Sequence, residues 1–157
     1  MQTARWILPL VALLAGAGTV MAQSSGGAPQ DDAVRKLLMI SLDNIQSGVC
    51  TGGRPCAPAS AEEKVTPPLS VPDAKSVVSR AVFSAAGEHC GLDWQRLNFL
   101  PMMSHWRASK KASDRQLALI AILHGYAQQQ IKKNFVQRGA CTDAMRRDIE
   151  ARLAYGS

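Results

Sequence analysis

"ASDRQLALIAILHGYAQQQIKKNFVQRG", from Ala112 to Gly139, carries the start, the stop and the environment of one long helix. Ser113 and Gln116 have the spacing of a capping box, in which two side chains satisfy the first free backbone N–H groups reciprocally. Gly139 supplies a residue that adopts the left-handed conformation ending many helices. Between them Leu117 to Leu123 is apolar on nearly every side, which predicts a helix surrounded by other helices. Beyond it Ala127, Ile131 and Phe135 recur every four residues, so the second half is amphipathic. The rest of the chain must supply the neighbours.

Several segments have the right pattern. Asp31 and Asp32 suit the start of a helix whose apolar stripe is Val34, Leu38, Leu42 and Ile45, closed by Gly48. Pro72 and Asp73 suit the first turn of the next, whose stripe Val78, Val82, Ala86 and Cys90 runs to Gly91. A short helix from near Asp93 places Phe99, Met103 and Trp106 on one side and is kinked by Pro101. The last begins at Cys141 or Thr142, turns Met145, Ile149 and Leu153 inward, and pairs Asp143 with Arg147 and Asp148 with Arg152. No strand-like alternation, internal repeat or sustained heptad competes. The predicted fold is a small all-α domain, orthogonal or bundle-like, of about five helices stapled by disulfides.

The ends and the cysteines point to export. Arg5, the apolar stretch "WILPLVALLAGAGTV" and the small residues Val20 and Ala22 predict a signal peptide over residues 1–22, cleaved after Ala22. Its apolar core of roughly 14 residues is short of the ~20 needed to span a bilayer. Residues 23–30, "QSSGGAPQ", read as a disordered polar tail, and residues 31–155 as one helical domain. The mature chain is expected to be periplasmic or secreted, and not an integral membrane protein. An even set of cysteines there oxidises to disulfides. Cys50 and Cys56 flank "TGGRP", which turns sharply enough to close a ring and leaves Cys90 to Cys141. The alternative, each early cysteine bonded to a late one, stays open. Residues 49–72 hold five prolines and no helical period, so they read as a Pro-rich connector, extended at "TPPLSVP".

Charge is unevenly placed. The formal charge of +6 becomes +5 without Arg5; residues 23–93 carry six basic and eight acidic side chains, and the remainder eleven and four. A basic C-terminal half outside the cytoplasm suits a protein partner or an anionic envelope component, not nucleic acid.

"HCGLDWQRLNFLPMMSHW", His89 to Trp106, concentrates the residues with chemistry. Met102, Met103 and His105 would suit a copper ion, because thioethers favour Cu(I), although methionines at helical spacing more often fill a core. Zinc is not expected on oxidised cysteines. No nucleophile elbow, HExxH or phosphate loop is present, so no catalytic residue and no cofactor are assigned. Trp94, Phe99 and Trp106 are the candidate lining of an apolar binding groove. His124 lies on the stripe Leu117, Ile120, His124, Ala127 and Ile131; a neutral, hydrogen-bonded histidine there makes the core pH-sensitive, and Gly125 beside it suggests a close backbone approach.

With "CGLDW" after one helix and a second cysteine opening the last, the chain resembles small exported helical proteins of Gram-negative bacteria. From Cys90 to Cys141 it is also similar in architecture to periplasmic acid-stress chaperones. That resemblance implies a non-enzymatic binding or interaction protein, as a stress or protective factor. A copper-binding protein and an enzyme with an unrecognised site are the alternatives.

Overall fold

The computed structural model describes residues 31–137 and 139–154; the expected signal peptide and polar tail lie outside the described residues. Val34, Leu38, Leu42 and Ile45 are all fully buried, and they form the inner edge of α1 (Asp31–Asp43) and of the 3₁₀ turn that follows it. Gly48 ends that turn, not the helix itself. A Cβ there would stand 2.9 Å from the Cβ of Ala118, so glycine is what lets this corner lie against the next helix but three.

Helix α3 (Val71–His89) begins where the Ser70 hydroxyl accepts the Asp73 backbone N–H, with Pro72 in its first turn. It ends before Gly91, which sits at φ +65°. Its buried face is wider than the expected stripe: Ala74, Val77, Ala81, Ser84 and Ala85 are enclosed as well as Val78, Ala86 and Cys90, while Val82 is only half-buried. The reason is packing, since α3 meets α1 on one side, α5 (Asp114–Val136) along its length, and α6 (Asp143–Leu153) near its end. Both halves of the capping box predicted at Ser113 and Gln116 are present. Leu119, Ile120 and Leu123 of α5 are fully buried, as an all-round apolar segment requires.

Two local structures differ from the sequence reading. A five-residue helix, α2 (Ala61–Val65), stands inside the connector, capped reciprocally by Ser60 and Glu63. The Ser-x-x-Glu spacing was its signal, but α2 buries no side chain and so shows no apolar period. The segment after Gly91 is not a simple kinked helix either. A π-helical turn spans Gln95–Phe99 and runs into α4 (Leu100–Ala108), with the Leu100 N–H reaching back to the Gln95 carbonyl. Pro101 has no N–H to return to Leu97, and the widened turn precedes it. Asn98, on that turn, is fully buried.

The cystines join Cys50 to Cys56 and Cys90 to Cys141, the local pairing and its complement. Buried apolar side chains fall into two clusters. The larger gathers α1, the first half of α3, Met102 and Trp106 of α4, and Leu117 to Ala127 of α5. The smaller lies around Ala85, Leu92, Phe135, Ile149 and Leu153, next to Cys90–Cys141. In α6 the pair Asp148–Arg152 forms, but no ion pair joins Asp143 to Arg147; the neighbouring Arg146 donates to the Cys90 carbonyl. At Gly125 no atom lies within 4 Å of a Cβ position, so the close approach expected there occurs at Gly48 and Gly87 instead.

Loop length ranks the two cystines. Closing 51 residues removes about 4 kcal/mol of unfolded-chain entropy, and closing 6 removes about 2. Urea unfolding should therefore show C90A/C141A losing about twice the stability lost by C50A/C56A; equal losses would contradict this ranking.

Candidate functional site

Polar groups meet at the boundary between the two apolar clusters. Ser84 of α3 and His124 of α5 face each other with Oγ and Nε2 3.0 Å apart, both enclosed. The Asn98 Nδ2 donates to the Ser84 Oγ at 2.7 Å and to the Arg80 carbonyl at 2.8 Å. The Ser84 hydroxyl thus accepts from Asn98 and shares one further hydrogen bond with His124 Nε2, whose direction follows the imidazole tautomer. The Arg80 Nε donates to the Asn98 Oδ1 and its Nη2 to the Leu153 carbonyl, tying the end of α6 into the network. Trp94 stacks on the imidazole with centroids 6.0 Å apart, and Phe99 tilts against it at 4.9 Å. Burial first, and the Arg80 charge second, push the His124 pKa down from 6.5 to about 4.

A serine beside a histidine invites comparison with a nucleophile and its base. Two features of this geometry argue against that chemistry. Ser84, Asn98 and His124 are all at or below 1 % exposure, so no substrate carbonyl reaches the hydroxyl. Asn98 also contacts the serine, whereas the orienting member of a triad holds the second imidazole nitrogen. The network satisfies buried polar groups and fixes α3, α5 and the π-helical turn to one another.

The other expected residues disperse. Met102 is fully enclosed in the larger cluster, Met103 lines a shallow cavity with Gly48 and Ile122, and His105 is half-buried on α4. Among the described residues no three His, Cys, Asp or Glu side chains converge as metal ligands. His89 stacks on Phe135, and its Nε2 is buried without a hydrogen-bond partner. Trp94 and Phe99 pack on His124, while Trp106 lines a separate cavity of about 150 Å³ with Leu69 and Ile120. The basic excess is also partly spent internally. Lys132 pairs with Glu88, Arg152 with Asp148 and Arg115 with Glu63; Arg107 in the last turn of α4 and Lys110 and Lys111 just beyond it form an exposed group.

Sequence reasoning did not find one further concavity lined by described residues. It is a groove of about 720 Å³ between α1 and the chain from Lys64 to Asp73. Leu38, Met39, Leu69 and Val71 give it an apolar floor and wall, Val65 stands 84 % exposed beside it, and Arg35 and Lys64 bring positive charge. The connector forming its wall is held in place from α5. Arg115 binds Glu63 at 2.5 and 2.6 Å and the Ala57 carbonyl at 2.8 Å, and Gln116 donates to the Pro68 carbonyl. The Arg115 guanidinium lowers the Glu63 pKa from 4.5 to about 2. The missed signal was Arg115 itself, a charge in the first turn of α5 just before its apolar run from Leu117 to Leu123.

No protein-family model matches the chain, and neither a curated protein nor a solved structure matches it.

The pH dependence has a defined sign. A histidine whose folded pKa lies below its unfolded value contributes fully above about 6.5, and that contribution is lost as pH falls towards about 4. The loss is on the order of 3 kcal/mol. Below it, protonation of Glu63 removes further stability as pH falls from 4.5 towards about 2. Urea midpoints measured across this range should decline between pH 6.5 and 4, and H124Q should flatten that decline; a parallel decline in H124Q would place the proton elsewhere.

Proposed function

We propose that this protein is an exported, non-enzymatic binding protein acting in the periplasm or outside the cell, with a protein or an anionic envelope component as its partner. The groove between α1 and the connector is the observation that carries the binding role. Its size falls in the range of ligand sites, about 300 to 1,000 Å³, and it sets Met39, Val65 and Val71 beside Arg35 and Lys64. Export is supported by two cystines that leave no free thiol among the described cysteines. No described helix is long and apolar enough to cross a membrane.

A protective role in acid is the form of this function that the buried His124 network favours. Protonation there charges an imidazole held between Trp94, Phe99 and Arg80, which weakens the packing between the two apolar clusters and exposes their surfaces.

Expression of the full chain in a Gram-negative host tests export directly. The expected product is recovered outside the cytoplasm, begins at Gln23 and has all four cysteines oxidised. A full-length cytoplasmic product with free thiols would overturn the proposal. The acid role predicts that an environment-sensitive dye binds more strongly at pH 4 than at pH 7, and that a client protein aggregates less in its presence; unchanged dye binding and no protection would remove it.

A further inference from the structure

The groove's chemistry narrows its ligand. We infer that it holds a free single-chain amphiphile with an anionic head, of the class of a long-chain fatty carboxylate, its alkyl chain along Met39, Val65, Pro67 and Val71 and its head against Arg35 and Lys64. This inference rests on the reading of the molecule as a binding protein.

The wall formed by residues 66–70 explains why an alkyl chain suits this site better than a peptide. Pro67 and Pro68 have no N–H to donate, and the Pro68 carbonyl is already occupied by Gln116. The Ser70 hydroxyl is committed to the Asp73 carboxylate at 2.6 Å. A peptide laid here would bury amide groups with few partners, whereas a hydrocarbon chain needs none. No described strand offers an edge for backbone pairing, the other common means of holding an extended peptide.

Charge then selects the head. Arg35 and Lys64 are the cations on the lining, and Asp73 is its one carboxylate. Lys64 also reaches Asp43 at 2.8 Å, which leaves Arg35, one turn before Leu38 and Met39 on α1, as the principal contact for an anion. A guanidinium matches a carboxylate in two parallel hydrogen bonds. The groove also stays with the folded chain, since its connector wall is fixed to α5 by Arg115 and Gln116 and its other wall is a helix whose Leu38 is fully buried.

The test uses the mature, disulfide-bonded chain, stripped of lipid and titrated at pH 7 with a dansyl-labelled undecanoate that is then displaced by hexadecanoate. One-to-one binding is expected. Methyl hexadecanoate should compete about tenfold less well, and R35E and V65D, both at exposed positions, should each weaken hexadecanoate about tenfold while keeping the wild-type unfolding midpoint. Equal competition by acid and ester, or unaltered binding by R35E, would overturn the anionic head. Binding to vesicles of anionic phospholipid but not to the monomeric acid would overturn the free amphiphile in favour of a bilayer surface. If no acyl probe binds but an apolar dye does so in a V65D-sensitive manner, the ligand class fails and the binding reading stands. If neither binds, both fail.

Discussion

Helix α3 turns alanines and a glycine towards its neighbours where α5 turns leucines and isoleucines. Ala74, Ala81, Ala85 and Gly87 are enclosed on one helix, and Leu119, Ile120 and Leu123 on the other. This difference in size lets the two longest helices lie against each other along most of their length. Each large side chain removed from water contributes about 1.5 to 3 kcal/mol, well above the ~0 to 1 kcal/mol of a surface ion pair such as Asp148–Arg152. Every other element is placed by that pair: α1 covers one flank, α4 another, and α6 closes the far end under the Cys90–Cys141 cystine.

At the middle of the pair the packing changes from apolar to polar. Ser84, His124, Asn98 and Arg80 form a chain of hydrogen bonds where a run of alkyl groups would also have fitted. Such a layer stabilises less than it specifies, because a shift of α3 against α5 by one turn would part Ser84 from His124 and leave the imidazole nitrogen buried and unpaired. It also joins the two apolar clusters through titratable groups. A proton on the imidazole therefore acts at the boundary between them, where the structure is held by geometry rather than by area.

The connector is the counterpart of this core. It has little apolar content, and its order derives from Leu69, the Cys50–Cys56 ring, and the reach of Arg115 and Gln116 from the first turn of α5. Held in that way, a segment rich in proline becomes a rigid wall with few free donors. The helix pair thus maintains the fold, and the laced connector shapes the groove that we propose as a binding site.

The sequence by itself determined the five longer helices, their caps at Ser113 and Gly91, the inner stripe of α1 and an all-α fold closed by cystines, because each of these follows from local spacing and from the conformations single residues allow. It also marked His124 as a core residue, since the stripe around it left no other place. Ser84, Asn98 and Arg80 were not legible as its partners, for they lie 26 to 44 residues from it along the chain and meet it only when α3, α5 and the π-helical turn pack. The groove was hidden for the same reason, as its two walls come from α1 and the connector, and Trp106 was parted from Trp94 and Phe99 by the direction in which α4 leaves that turn. Periodicity reports which side of an element is apolar; which surfaces that side meets is decided by the packing of distant segments.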